Sequence, residues 1–194
     1  MKANRSELPA ELPEAPPSDA ALLSRLCAGD VGALGELYDR HFVAVQRFVA
    51  RATNGAEDVD DIAQNVFLTA AKIADRYDGR RSARPWILGI AARLVQRRGR
   101  RLGQIARLIR RWSQTRDPAQ EPERALEARS SLDQVQATLS RMSAGKRLVV
   151  LMTELEGMTG PEIAAVLQIP IGTVWTRLHA ARRELRASIR SEAP

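Results

Sequence analysis

The sequence predicts an all-α fold, with two small helical domains joined by a flexible linker. Apolar residues recur close to the helical period along most of the 194 residues. No segment shows a convincing strand-like alternation of apolar and polar residues. The composition changes over residues 103–130, where two prolines and a return of acidic residues indicate a linker with some helical content at either end.

The N-terminal domain is expected over residues 19–102, after a disordered tail. Residues 1–18 are rich in proline and glutamate, a composition typical of segments that do not form a core. Ser18 or Asp19 can cap a first helix, and Gly29 can end it.

Three longer helices are predicted to complete this domain. One starts near Val31, the next spans about residues 59–75, and the last accepts Pro85 in its first turn. Their helically spaced apolar side chains predict the core: Leu34, Leu37, Phe42, Val45, Phe48, Val49, Ile62, Val66, Phe67, Ala70, Ile73, Trp86, Ile87, Ile90, Ala91 and Leu94.

The C-terminal domain is predicted over residues 131–190 and ends in a helix-turn-helix. Thr159 and Glu162 have capping-box spacing before a short helix. Pro170 then stops that helix, and the next helix follows after a very short turn. The predicted helices cover residues 131–141, 144–156, 161–167 and 172–190. In a unit of this kind the second helix enters the DNA major groove.

The charge of the chain indicates an anionic partner. The formal net charge is +7, and eight arginines without any acid lie between Ala92 and Trp112. Arginine binds phosphate through two parallel hydrogen bonds, so this composition favours nucleic acid. A basic membrane-surface helix is the alternative, but the run lacks a wide apolar face.

Few residues suit catalysis or metal binding. Cys27 is the only cysteine and is expected to be a small buried apolar residue, and the two histidines are too few for a Cys/His zinc site. The acids of the segment from Glu57 to Asp61 favour a helix N-terminus over a paired-carboxylate centre. We therefore expect neither an enzyme nor a cofactor. The absence of a signal core or apolar span predicts a cytoplasmic protein without membrane insertion.

The chain resembles bacterial RNA polymerase sigma factors of the extracytoplasmic-function group of the sigma-70 family. The segment ALGELYDRHFVAVQRFVARATNGAEDVDDIAQNVFLTAAK, followed by YDGRRSARPWILGIAARLVQRRGRR, is similar to region two. The segment LSRMSAGKRLVVLMTELEGMTGPEIAAVLQIPIGTVWTRLHAARREL is similar to region four. The resemblance implies that residues 19–102 bind core polymerase and melt the minus-ten element, and that residues 131–190 recognise the minus-35 element.

The resemblance also implies a role for each site residue. Core polymerase, through the clamp of its beta-prime subunit, would be bound by Asp61, Gln64, Asn65 and Phe67. The minus-ten element would be bound by Tyr77, Arg80, Arg81, Arg84, Trp86, Arg93, Arg97, Arg100 and Arg101. The minus-35 element would be bound by Thr173, Trp175, Thr176, Arg177, His179, Arg182 and Arg183.

Several positions depart from the pattern of the group. Asn65 replaces a usual Glu, Arg93 stands where an Asn often helps to read the minus-ten element, and Arg97 stands near a usual Asp. Trp175 replaces a usual Arg or Lys, and the pair Gly160–Pro161 replaces a Ser-Tyr or similar pair. From the sequence, Trp175 either contacts DNA or a protein partner, or folds back on the preceding turn.

The predicted function is promoter recognition for a polymerase that supplies the catalysis. Core RNA polymerase and promoter DNA are the expected partners, and the resemblance implies an anti-sigma protein as a third. The alternative is a stand-alone helix-turn-helix regulator that binds duplex DNA without polymerase.

Overall fold

The computed structural model describes residues 16–79, 82–112 and 131–190. Within these ranges the chain forms eight α-helices and no strand, which confirms the all-α prediction. The helices are α1 (Asp19–Cys27), α2 (Val31–Thr53), α3 (Val59–Lys72), α4 (Ala83–Trp112), α5 (Ser131–Arg141), α6 (Ala144–Glu154), α7 (Gly160–Leu167) and α8 (Ile171–Arg190). A short 3-10 helix, Ala74–Arg76, follows α3.

Local signals in the sequence set most of the helix ends. The Ser18 hydroxyl accepts a hydrogen bond from the Ala21 N–H at 3.2 Å and caps α1. Asp30 caps α2 by accepting from the Gly32 N–H at 2.9 Å, and Asn54 ends that helix in the left-handed conformation. The sequence therefore fixes these boundaries through capping chemistry that acts within a few residues.

The N-terminal bundle is built by α1 to α4 around mainly aliphatic side chains. Leu22 of α1, Phe48 of α2, Val66 of α3 and Ile87 of α4 are all buried. Burying one such side chain stabilises a fold by about 1.5–3 kcal/mol. Cys27 is exposed, so the expectation that it packs in the core is wrong.

The helix α4 is longer than its packed part. It continues to Trp112 and so covers the first ten residues, 103–112, of the predicted linker. Leu102, just before this extension, and Ile105 within it are both exposed. The remainder of the predicted linker, residues 113–130, and the greater part of the predicted N-terminal tail fall outside the described residues.

The C-terminal domain packs α5, α6 and α7 around α8. Its buried centre combines Leu148 and Met152 of α6, Ile163 of α7, and Val174 and Leu178 of α8. Because the apolar positions of α8 recur every three or four residues on one side, its other side is left free of the core. That free side carries the polar and basic residues discussed below.

Candidate nucleic-acid and protein interfaces

An exposed stripe runs along the outer face of α3. Asp61, Gln64 and Asn65, three of the residues predicted to bind a protein partner, are all exposed. The Asn65 amide donates a hydrogen bond to the Asp61 carbonyl at 2.9 Å, one helical turn earlier. Leu68 continues the stripe with 54% of its surface exposed. We refer to Asp61, Gln64, Asn65 and Leu68 as the α3 stripe.

Phe67, the fourth residue predicted to bind that partner, is placed differently. Only 3% of its surface is exposed, and its ring centroid lies 4.9 Å from that of Tyr38 and 6.5 Å from that of Phe42. Phe67 therefore packs α3 against α2 and does not reach the surface. The expectation of direct contact is not supported at this position. Leu68, which lies one turn beyond Gln64 on the same side, was not among the predicted residues.

Two acids at the start of α3 anchor the helix within its own domain. The Arg98 side chain on α4 donates to Asp58, and this hydrogen bond lowers the pKa of the Asp58 carboxyl below its ordinary value. Asp60 accepts a hydrogen bond from the Gln46 amide on α2 at 2.8 Å. The acidic segment therefore forms the N-terminus of α3, the interpretation that the sequence favoured over a paired-carboxylate centre.

An aromatic side chain of the loop before α4 contacts one in the first turn of that helix. The rings of Tyr77 and Trp86 lie 5.5 Å apart between centroids at an angle of 57°. Burial raises the pKa of the Tyr77 hydroxyl. Arg80 and Arg81, which were predicted to bind DNA here, lie outside the described residues.

The predicted DNA-binding arginines of α4 fall into two groups. Arg97, Arg100 and Arg101 are exposed. Arg84 instead pairs with Glu156 at 3.1 Å, and Arg93 donates to main-chain carbonyls of α7. In this conformation Arg84 and Arg93 are therefore engaged by the C-terminal domain.

The helix-turn-helix forms from α7 and α8 as the sequence predicts. The Glu162 carboxylate accepts hydrogen bonds from the Thr159 N–H and the Thr159 hydroxyl, both at 2.7 Å. Gln168 adopts the left-handed conformation and ends α7 four residues before Gly172. The Thr176 hydroxyl donates to the Gly172 carbonyl at 2.8 Å.

The outward face of α8 borders an open groove of about 670 Å³. Its lining residues include Trp175, His179, Arg182 and Arg183, all predicted to bind DNA. Thr176 is exposed beside them, and Thr173 is half-buried in the first turn. A basic face with an aromatic residue and hydrogen-bonding side chains fits the major groove of DNA.

Three residues of α8 have intramolecular contacts, and the first of them agrees with one of the two interpretations of Trp175. Trp175 folds back over Gly160 at the start of α7 while 51% of its surface remains exposed. The guanidinium of Arg177 lies against Gly145 on α6. Arg182 pairs with Glu154 at 2.8 Å.

Two kinds of feature are absent from the described residues. In residues 16–79, 82–112 and 131–190, His, Cys, Asp and Glu side chains do not cluster in a way that would hold a metal ion. In the same part of the chain, each helix is too short or too polar to cross a bilayer.

Comparison with known proteins matches two segments of the chain to sigma-70 regions. Residues 37–105 match the family model of sigma-70 region 2, and residues 132–185 match that of sigma-70 region 4. The RNA polymerase sigma factor NccH of Alcaligenes xylosoxydans xylosoxydans is 30% identical over 181 residues, which cover 91% of this chain and 97% of NccH. The extracytoplasmic-function sigma factor SigL of Mycobacterium tuberculosis is 29% identical, over 87% of this chain and 96% of SigL.

A solved structure agrees with these relatives. The structure of CnrH in complex with the cytosolic domain of CnrY matches with a TM-score of 0.59 and 29% identity, covering 90% of this chain and 99% of that one. CnrH of Cupriavidus metallidurans is an RNA polymerase sigma factor. The chain belongs to the sigma-70 family of RNA polymerase sigma factors, in its extracytoplasmic-function group, and acts in transcription initiation.

Proposed function

We propose that the two tasks of this sigma factor are divided between chemically different surfaces. The α3 stripe docks on the clamp of core RNA polymerase. The exposed arginines of α4, together with Tyr77 and Trp86, hold the minus-ten element, and the outward face of α8 binds the minus-35 element. The observation that carries this division is the separation of charge: the α3 stripe has no basic residue, whereas both proposed DNA surfaces are rich in arginine.

The α3 stripe has the composition of a protein contact. Leu68 provides an apolar centre, and the surrounding carboxylate and amide groups provide hydrogen-bond acceptors and donors. Phe67 contributes from inside the bundle, because its packing against Tyr38 sets the position of α3. It is therefore a supporting residue in this proposal.

On the proposed DNA surfaces, some residues would position the protein on the duplex and others would recognise its base sequence. Four exposed arginines suit contacts with phosphates, which every DNA sequence presents alike: Arg97, Arg100, Arg101 and Arg183. Thr176 and His179 suit base edges, which differ between promoters. Strand separation at the minus-ten element needs a pocket for an unstacked base, and Tyr77 and Trp86 offer the aromatic surfaces for it.

Two further assignments complete the proposal. The chain works in the cytoplasm and has no catalytic centre of its own, since the polymerase supplies the chemistry. An anti-sigma protein restrains it, a partner suggested by the structure of CnrH with the cytosolic domain of CnrY.

Run-off transcription with sigma-free core polymerase tests the proposal. The wild-type chain is expected to support initiation, and the double variant Asp61→Ala, Gln64→Ala is expected to lose core binding while its helical content stays unchanged. Asp75→Ala, which removes an exposed acid that is not part of the stripe, is the matched control. A stand-alone regulator would bind promoter duplex without polymerase and would give no transcript. Unchanged core binding in the double variant would overturn the role of the α3 stripe.

A further inference from the structure

Trp175 is a large apolar side chain on an otherwise polar and basic face of α8. It is the fifth residue of that helix, and 51% of its surface is exposed. Three arginines line the groove that it borders, and no acid is found among the lining residues that the structure describes: Arg182, Arg183 and Arg186. A surface of this charge attracts a polyanion, so the partner that meets the exposed part of the ring is DNA.

The ring is held from one side by the helix before it. Trp175 packs on Gly160, the first residue of α7, and Gly160 is buried. That end of α7 is itself fixed, because the Thr159–Glu162 capping box closes its first turn. The exposed part of the ring therefore keeps one position relative to α7, and it can bind without first being ordered.

The two residues that follow Trp175 direct hydrogen-bond donors into the protein. The Thr176 hydroxyl donates to the Gly172 carbonyl at 2.8 Å, within α8 itself. The guanidinium of Arg177 lies against Gly145 on α6. Apolar contact is therefore the property that sets Trp175 apart at the beginning of α8, the end of a helix of this kind that contacts base edges.

The major groove of DNA contains one apolar group on its base edges, the C5 methyl of thymine. Adenine, guanine and cytosine present donors and acceptors there, and each needs a polar partner. An aromatic side chain gains by covering the methyl group and has nothing comparable to gain from the other three bases. A fixed ring on this helix thus favours thymine over every other base.

We propose that Trp175 selects thymine at one position of the minus-35 element by packing its exposed surface against the C5 methyl group, and that Gly160 is the residue that positions the ring. The proposal rests on the proposed function, which assigns the outward face of α8 to that element. It adds the identity of a preferred base and the group by which that base is recognised.

Uracil isolates the contribution of the methyl group, because it pairs with adenine as thymine does and lacks only that group. Minus-35 sequences that the wild-type holoenzyme binds are first selected from promoters randomised over this element. We expect one position to be occupied by thymine on one strand. Each thymine of the selected element is then replaced singly by uracil. At the selected position, uracil should weaken holoenzyme binding about fourfold, the factor expected for one methyl-sized group no longer covered.

Three variants test whether the effect comes from the ring in its observed position. In Trp175→Ala the thymine and uracil promoters should bind equally well. Gly160→Ala keeps the tryptophan but displaces its ring, so the same ratio should fall towards one. His179→Ala is the matched control, because it changes another outward residue and should keep the fourfold ratio. The ratio is measured within each protein, so a smaller folded fraction of a variant does not alter it.

The outcomes distinguish this proposal from the proposed function. A holoenzyme that initiates but shows no preference at the minus-35 element overturns both. If a preference is found and uracil binds like thymine at every position, the role of Trp175 is overturned and the assignment of α8 stands. A fourfold ratio that persists in Trp175→Ala assigns the methyl contact to another residue, and one that persists in Gly160→Ala overturns the positioning role of Gly160.

Discussion

The indole ring of Trp175 is seated directly on Gly160. A Cβ added to residue 160 would lie 2.5 Å from Cζ2 and 2.6 Å from Cη2 of that ring. Real Cβ atoms do not approach other atoms so closely, so no other residue type fits at position 160 while the ring stays in place.

This contact joins two of the positions at which the sequence departs from the pattern of its group. Glycine at residue 160 leaves the space that tryptophan at residue 175 fills. The two interpretations of Trp175 are compatible, because the ring folds back on α7 and is still 51% exposed beside Thr176 and His179. A ring held in this way can present a fixed apolar surface to a thymine methyl group at low entropic cost.

The first prediction is that Gly160 and Trp175 are energetically coupled. Gly160→Ala should lower the free energy of unfolding by about 1–3 kcal/mol, because the new methyl group collides with the ring. In a Trp175→Ala background the same change should be neutral or slightly stabilising, since alanine favours a helix over glycine. Denaturant unfolding of the four proteins measures the coupling. An identical cost in both backgrounds would contradict the contact.

The second prediction contrasts two neighbours on α3. Phe67→Ala should cost about 3–5 kcal/mol of stability, as expected for a buried ring that leaves a cavity. Leu68→Ala should change stability by less than about 1 kcal/mol, because the side chain is more than half exposed. The affinity of the Leu68→Ala variant for core polymerase should nevertheless fall about tenfold or more. Thermal unfolding and a core-binding titration distinguish these effects, and the assignment fails if Leu68→Ala binds core polymerase like the wild type.

The helices were predictable because their signals are local. Ser18, Asp30 and the Thr159–Glu162 pair act on N–H groups two or three residues away, so the sequence alone identifies the caps. Helical spacing likewise identified the buried side of α2, where Leu37, Val45, Phe48 and Val49 are all buried.

The site was less predictable. The side of a helix that a residue occupies and its partners far along the chain do not follow from nearby residues. Phe67 and Leu68 differ by one residue, which turns a helical side chain by about 100° from the core to the surface. Arg93 has the spacing of a phosphate-binding arginine, yet its hydrogen-bond acceptors lie on α7, more than seventy residues away. No pattern within α4 reveals such acceptors.

The third prediction concerns acid stability. Because Arg98 lowers the pKa of Asp58 in the folded chain, the pair should stabilise the fold above the ordinary pKa of aspartate, about 3.9. That contribution should be lost as the pH falls through the lowered folded-state pKa, where the carboxylate is protonated. Asp58→Asn should therefore be less stable than the wild type at pH 7, and the difference should shrink below about pH 4.

Arg98→Gln provides the matched variant for this prediction. It removes the other member of the pair, so its stability difference from the wild type should decline over the same acidic range. Denaturant unfolding at several pH values measures both differences. A difference that stays constant down to pH 2 would show that the pair does not lower the pKa as described.

The fourth prediction distinguishes phosphate contacts from base contacts on α8. Arg183 is exposed and suits a phosphate, so Arg183→Ala should weaken holoenzyme binding equally at all minus-35 sequences and reduce the salt slope by about one. His179→Ala should instead relax the preference at one base pair, worth about 1–3 kcal/mol, because a base edge loses its partner. Arg182, which pairs with Glu154, should have a smaller effect than Arg183, since forming a phosphate contact requires giving up that ion pair. Titrations of the holoenzyme on promoters with single-base changes, repeated at several salt concentrations, measure all three effects. The assignment of α8 fails if His179→Ala and Arg183→Ala give the same profile across sequences and salt.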